Sequence, residues 1–245
     1  MAVVLHQFNF SHFNDKARWA LSYKGVEYTR ETYLPGPHMP AIRKLSGQTS
    51  TPVLDWHGKV IAGSAAIIAH LELAAPSPAL IPADERLAQQ ALALQERFDN
   101  EVGPATRTVL FAALAEEAGY MTSMFGAGKN ALKRLGYRTV FPLAKGMIKR
   151  GNNVTPESIA ARKDVTQKAL DEVARATEDT GYLVGDSFSV ADLTAACFFA
   201  PLANPSHPDM ARPEPIPASV EAVLATYREH PAIAWTYRMY ELHRA

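Results

Sequence analysis

The sequence predicts a small α/β domain followed by an all-α domain. In the first part of the chain, short β-type runs alternate with helical patterns in the order βαβ, short helix, ββα. After the proline-containing stretch PSPALIP, the chain is nearly all helix-forming. The length of 245 residues supplies enough material for two such cores. We therefore place one domain at residues 1–75 and a second at 83–245, joined by a linker at 76–82.

Each element of the first domain has a local signal. Ser11 stands where a helix N-cap is expected, and Gly25 stands where the same helix should end. His57-Gly58 separates two β-type runs, which indicates a hairpin. The predicted elements are strands at 3–8 and 27–33, a helix at 11–24, a short helix at 41–45, a hairpin over 52–62 and a helix at 65–73.

The helices of the second domain are predicted from helix-forming runs and the proline-rich segments between them. A long helical stretch is expected to bend at Pro104, because proline removes a backbone donor inside a helix. Ser189 and Asp192 form a capping-box pattern, which predicts a helix start and a structural role. The predicted helices lie at 84–125, 156–180, 190–203, 220–228 and 232–242, with a proline-rich loop at 204–217.

Composition and charge limit the classes of function. The 25 basic and 25 acidic residues balance, so a general attraction to nucleic acid is not expected. The single cysteine, Cys197, allows no internal disulfide and fits a reducing, cytoplasmic setting, where we expect it to be a buried, inert thiol. No apolar run approaches the ~20 residues of a transmembrane helix. The histidines show no metal-ligand spacing, so no metal is predicted.

Four motifs in order along the chain resemble the glutathione S-transferase family. Ser11–Arg18 is similar to the first helix of that family, and Thr51-Pro52-Val53-Leu54 is similar to its cis-proline motif. Residues 63–67 are similar to its acid-Ser-x-Ala-Ile motif, and residues 185–193 to the helix cap of its second domain. The resemblance implies a thioredoxin-like N-terminal domain, an all-helical second domain, glutathione as co-substrate, a homodimer and a role in detoxification.

Ser11 is the predicted catalytic residue. A helix N-terminus carries free N–H groups and about half a positive charge, so it can stabilise a thiolate and lower its pKa. The nucleophile would be the thiolate of glutathione, and the Ser11 hydroxyl would donate a hydrogen bond to it. Asn14 stands where some relatives carry a second cysteine, so disulfide exchange at this helix is not expected.

The resemblance also implies a set of glutathione-binding residues. The backbone of Thr51 before Pro52 would pair with the extended cysteinyl part, and Ser64 would meet the γ-glutamyl carboxylate. Relatives usually carry an acid where this chain has Gly63, so the partner of the ligand's amino group is missing and weak affinity is expected. The predicted glutathione-binding residues are Phe13, His38, Ser50, Thr51, Pro52, Gly63 and Ser64.

An electrophile pocket is expected between the domains. It would be lined by Phe10, Arg107, Phe111, Tyr120 and Phe125. Seven basic residues and no acid fall between residues 129 and 150, interleaved with apolar residues. Such a stretch is either a solvated face over the core or a contact for an anionic ligand or membrane surface.

The sequence favours a glutathione S-transferase that joins the glutathione thiolate to a small electrophilic substrate, apolar or amphipathic. Two alternatives stay open. One is a non-catalytic binding or scaffold protein, for which Gly63 and Ser50 speak, since both stand where relatives carry ligand-binding side chains. The other is a lyase, isomerase or dehalogenase that uses the same thiol, because the second-substrate pocket has no distinctive motif.

Overall fold

The chain folds into a four-stranded mixed sheet with helices, followed by a helical domain. The structure is a computed structural model that describes residues 2–130, 132, 135–139, 141, 146 and 154–244. The elements of the first domain are β1 (Val3–Gln7), α1 (His12–Tyr23), β2 (Thr29–Thr32), α2 (Met39–Ser46), β3 (Val53–Trp56), β4 (Lys59–Ala62) and α3 (Ser64–Ala74).

The sheet has the strand order β2-β1-β3-β4. Strand β1 runs parallel to β2 and antiparallel to β3, with Leu5 opposite both Arg30 and Leu54. Alternate residues of β1 are buried, as expected for a strand with one face on the core. This mixed sheet with flanking helices is the thioredoxin-like domain that the motifs predict.

Two turns of this domain depend on positive φ angles. Gly25 ends α1 at φ +63°, in the left-handed conformation that glycine adopts without strain. His57 and Gly58 connect β3 to β4 with φ +55° and +98°. Two positive φ angles at the centre of a two-residue loop match the twist of a hairpin.

The helical domain follows with α4 (Glu85–Arg97), α5 (Gly103–Leu114), α6 (Ala118–Phe125), α7 (Pro156–Ala176), α8 (Val190–Ala203), α9 (Ala218–Tyr227) and α10 (Pro231–His243). A π-helical stretch, Phe98–Val102, connects α4 to α5 without a break. The sequence led us to expect a bend at Pro104. Proline has no N–H and its ring crowds the carbonyl four residues earlier, which explains why the turn before it widens.

One apolar core joins the two parts of the chain. It contains residues of β1, α1 and α3 together with residues of α4, α7, α8 and α10. Helix α8 lies at its centre, since all its residues are buried. The predicted capping box begins this helix: the Ser189 side chain accepts from the helix, and Asp192 accepts from the backbone of Ser189 at 2.9 Å. The domain boundaries at 75 and 83 stay a prediction.

Candidate functional site

The N-cap residue of α1 makes no capping hydrogen bond with its side chain. Ser11 is the N-cap residue in extended conformation (φ −102°, ψ 121°), yet its side chain makes no capping hydrogen bond. By contrast, Asp84 and Thr155 accept bonds from the first turns of α4 and α7 at 2.9 and 3.2 Å. The half-buried Ser11 hydroxyl therefore remains available at the positive end of α1.

One hydrogen bond connects α1 to the cis-proline loop, and a second connects that loop to the residue before α3. The Thr51-Pro52 peptide bond is cis, as the motif predicts. The Asn14 amide Nδ2 donates to the Thr51 hydroxyl at 3.1 Å, and the Gly63 N–H donates to the Pro52 carbonyl at 2.9 Å. The first turn of α1, the cis-proline loop and the start of α3 thus form one connected frame.

A groove of about 480 Å³ lies along this frame. Its lining residues are Phe13, Ser50, Thr51, Pro52, Ala62, Gly63, Ser64, Ala65, Ala66, Asp99, Asn100 and Arg107. Six of the seven predicted glutathione-binding residues are in this list, all except His38. Ser11 is also not among the described residues that line the groove. The ligand roles of all these residues stay predictions.

Gly63 has a backbone conformation that suits glycine alone. It precedes α3 at φ +96° and ψ 143°, a region that L side chains rarely adopt. It has no side chain to cap α3, so the first-turn N–H groups beside the buried Ser64 have no acceptor from their cap residue. Gly63 thus lacks the acid expected at this position and also leaves the N-terminus of α3 without a side-chain cap.

The acid that does line the groove comes from the helical domain. Both carboxylate oxygens of Asp99 accept from Nζ of Lys16 at 2.7 Å, and the Lys16 side chain is fully buried. Burial raises the pKa of Asp99 and lowers the pKa of Lys16, while each partner opposes the shift of the other. Asp99 thus lies in the groove with its charge balanced. No sequence motif marks this pair, because its two members are 83 residues apart.

Arg107 adds a positive charge on the helical side of the groove. Its guanidinium carbon lies 5.9 Å from the ring centroid of Phe13. Its Nε is buried and has no hydrogen-bond partner. Burial lowers the pKa of Arg107, and the positive charge of Arg162 lowers it further.

Two histidines near the groove are already used within the protein. Nε2 of His12 donates to the Gly103 carbonyl at 3.0 Å, and burial, followed by the charge of Arg107, lowers the pKa of His12 to about 3. His12 is therefore buried and neutral. In His38, Nε2 donates to the Thr49 carbonyl at 2.8 Å and Nδ1 accepts from the Gly36 N–H at 3.1 Å. A ligand contact from His38 would have to replace one of these bonds.

Four of the five residues of the predicted electrophile pocket belong to one apolar cluster or pack against it. Phe10, Phe111 and Tyr120 pack against this cluster, and Phe125 is one of its buried members. The Tyr120 hydroxyl donates to the Pro213 carbonyl at 2.9 Å. Whether these four side chains contact an electrophile stays a prediction.

The predicted basic stretch is only partly described. Nζ of Lys129 donates to the Thr32 carbonyl at 2.5 Å, so this lysine connects the end of the helical region after α6 to β2. Lys133, Arg134, Lys145, Lys149 and Arg150 lie outside the described residues. A surface role for this stretch therefore stays a hypothesis.

The described residues contain neither a membrane-spanning helix nor a group of metal ligands. None of the helices in the described ranges is both long and apolar enough to cross a membrane. Across the same ranges, no group of three His, Cys, Asp or Glu side chains could hold a metal ion.

Comparison with known proteins identifies the N-terminal domain. Residues 5–79 match the sequence family described as glutathione S-transferase, N-terminal domain. No curated protein sequence matches the chain.

Solved structures resemble the whole chain at low sequence identity. The beta-etherase LigF from Sphingobium sp. strain SYK-6 is 19% identical, with a TM-score of 0.66 over 97% of this chain and 99% of that chain. A glutathione S-transferase from Methylobacterium radiotolerans, in complex with glutathione sulfonate, is 18% identical, with a TM-score of 0.64 over 100% of this chain and 92% of that chain. A glutathione S-transferase from Methylobacillus flagellatus with glutathione bound is 16% identical, with a TM-score of 0.63 over 99% and 96%.

At these identities the solved structures establish the fold, and the sequence match establishes the ancestry of the first domain. Residues 5–79 therefore belong to the family of glutathione S-transferase N-terminal domains, and the chain has the fold of solved glutathione S-transferases.

Proposed function

We propose that the protein is a glutathione transferase that joins the glutathione thiolate to a small electrophile. The observation that carries the proposal is the N-terminus of α1, where Ser11 leaves its own helix uncapped. The connection of this helix to the cis-proline loop through Asn14 and Thr51 supports it, because the same frame forms one wall of the groove.

In the proposed mechanism, the protein stabilises the thiolate and does not itself attack. The free N–H groups and the dipole of α1 favour the ionised sulfur, whose unperturbed pKa is about 8.5. The Ser11 hydroxyl donates a hydrogen bond to this sulfur, and the thiol proton leaves to solvent. The thiolate then forms a C–S bond with the electrophile while the leaving group departs with its electron pair. Proximity in the groove contributes the rest of the rate.

Glutathione would bind along the wall formed by the first domain. The backbone at Thr51, next to the cis peptide bond, would pair with the cysteinyl part as an added strand. The uncapped start of α3 at Ser64 would take the γ-glutamyl carboxylate. Because Gly63 carries no acid and Asp99 is paired with Lys16, we expect affinity for glutathione to be weak.

The wider setting belongs to the same proposal. We expect a cytoplasmic homodimer that acts in detoxification. Support for a dimer comes from apolar side chains exposed on adjacent elements: Leu73 of α3 is 85% exposed, and Leu92 of α4 lines a surface depression together with Ala65 of α3.

The test is calorimetric titration of glutathione into the protein in two buffers of different ionisation enthalpy. The wild type should bind and release a proton near neutral pH, because the bound thiol ionises. Ser11→Ala should bind with much less proton release. The matched control is Ser206→Ala, which removes an exposed hydroxyl on a loop of the helical domain and should release the proton as the wild type does.

The transferase and the non-catalytic scaffold predict different results in this titration. Binding without proton release in the wild type would contradict thiolate activation at Ser11. No binding at millimolar glutathione would contradict the transferase and favour the non-catalytic scaffold.

A further inference from the structure

The helical wall of the groove presents a cation, Arg107, that has no counter-ion in the described part of the chain. Arg107 lines the groove from α5, and its guanidinium carbon lies 5.9 Å from the ring centroid of Phe13. No hydrogen-bond partner is present for its buried Nε. Among the described residues, no carboxylate forms an ion pair with Arg107.

The neighbouring charges do not balance this cation. The nearby acid of the groove, Asp99, has both oxygens on Lys16, so the pair is neutral. His12 is buried and uncharged, and its Nε2 already donates to Gly103. The other charge that acts on Arg107 is Arg162 of α7, which is also positive and pairs with no carboxylate of the described residues. Among the described residues, this part of the groove therefore carries an unbalanced positive charge.

We propose that Arg107 selects electrophiles that carry an anionic group, such as a carboxylate or a sulfonate. This inference rests on the proposed transferase function and names its substrate class. A guanidinium has a planar set of donors that suits a two-oxygen anion, and that of Arg107 lies over the Phe13 ring. Binding of the anion would hold the reacting carbon in the groove beside the thiolate.

The position of Arg107 favours the second substrate over glutathione as the source of the anion. Arg107 comes from the helical domain, together with Asp99 and Asn100. Glutathione is expected on the opposite wall, where the open start of α3 at Ser64 already offers a site for its γ-glutamyl carboxylate. An anion at Arg107 would therefore come from the partner of the reaction.

The experiment compares two aryl chlorides that differ in one charge, 4-chloro-3-nitrobenzoate and 4-chloro-3-nitrobenzamide. In both, the glutathione sulfur forms a bond with the ring carbon and chloride leaves with the electron pair. After subtraction of the uncatalysed rate, we expect wild type to have the higher kcat/KM for the benzoate. Arg107→Gln should lower that value about tenfold, as expected for loss of a charge-assisted hydrogen bond. The value for the benzamide should change less than about twofold.

Three controls separate the charge of Arg107 from other effects. Arg107→Lys keeps the charge and should retain part of the preference. Arg175→Gln removes an exposed positive charge at the end of α7 and should leave both substrates unchanged. Thermal unfolding of each variant confirms that the fold is intact.

Several outcomes would overturn the inference. If Arg107→Gln slows both substrates equally, the residue serves the thiolate. If it raises the KM for glutathione with both substrates, its anion belongs to glutathione. If no variant turns over either substrate, the proposed function fails, and direct titration of 4-chloro-3-nitrobenzoate decides the anion site alone. Binding that depends on Arg107 would then support it, and equal binding by Arg107→Gln would refute it.

Discussion

At the scale of single residues, Gly63 has a backbone conformation that residues with a side chain rarely adopt. Its φ of +96° places it where any other residue is strained. A Cβ built on Gly63 would meet no atom within 4 Å, so space is not the obstacle. The cost of a side chain at this position is therefore conformational. A glycine in ordinary helical backbone would not show this cost when it is replaced.

We predict that Gly63→Ala destabilises the protein by about 1–3 kcal/mol, the usual cost of a non-glycine residue in such a conformation. The matched control is Gly119→Ala. Gly119 lies inside α6, has no positive φ and also has open space, so alanine there should stabilise by up to about 1 kcal/mol. Urea unfolding of both variants measures the difference. Equal stability of Gly63→Ala and wild type would contradict the strain.

Much of the frame around the groove, but not its charge balance, was predictable from the sequence at this scale. The N-cap position of Ser11 follows from a short local pattern, and the cis bond before Pro52 follows from the resemblance of Thr51–Leu54 to the cis-proline motif of the family. The pairing of Lys16 with Asp99, and the lack of a counter-ion for Arg107 among the described residues, depend on contacts between residues far apart in the chain. No local pattern reports such contacts, because they are set by how the helices pack.

At the scale of elements, the π-helical stretch leads into the contact between the start of α5 and the first turn of α1. Its carboxyl end brings the backbone of Gly103 against two rings: a Cβ there would lie 2.9 Å from Phe13 and 2.9 Å from Phe198. The Gly103 carbonyl also accepts from His12. Phe13 lines the groove, so the close approach of α5 sets the position of one groove residue directly.

We predict that Gly103→Ala destabilises the fold by about 1–3 kcal/mol, because an added methyl group overpacks the contact. It should also weaken glutathione binding, since Phe13 must move. Gly119→Ala again serves as the control, because it should leave glutathione binding unchanged. Calorimetric titration and urea unfolding measure the two effects. Loss of stability with unchanged affinity would show that Phe13 does not contribute to binding.

The sequence predicted the helices of this domain but not the geometry of their joint. Pro104 signals that the helix cannot continue regularly. A kink, a break and a π turn all satisfy that signal, and the choice depends on what packs against the joint. Here the joint is a π turn, and it leads into Gly103 in close contact with Phe13 and Phe198, which only the tertiary structure shows.

At the scale of the whole molecule, a buried polar network connects the two domains. Its centre is Asp15 of α1, which accepts from Arg244 at 3.1 Å and from the Tyr240 hydroxyl at 2.5 Å. Burial alone would raise the pKa of Asp15, but Arg244 and Arg18 hold it below its usual value. Arg244 also pairs with Asp209 at 2.7 Å. The helix that carries Ser11 is thus held by charges at the end of the described chain.

We predict that Arg244→Met lowers the stability of both domains together by about 3 kcal/mol, because it leaves a buried carboxylate short of one partner. Native-state hydrogen exchange measures this: the slowest amides of β1 and of α8 should lose the same amount of protection. Arg228→Met is the control, since its pair with Glu221 is exposed and its loss should leave the protection of both elements unchanged. Loss of protection in only one of β1 and α8 would show that the two domains unfold separately.

The π stretch at 98–102 has a consequence for how genes of this kind can diverge. A π turn holds one residue more than the α turn it replaces. The wider turn absorbs the extra residue, so loss of a single codon there would restore a regular helix and leave the residues after it at nearly the same angle around the helix axis. Arg107 would keep its side of the groove, whereas Asp99 and Asn100 lie within the stretch that would be rebuilt. A one-residue deletion would thus alter one part of the groove wall and preserve another, with no amino-acid substitution at all.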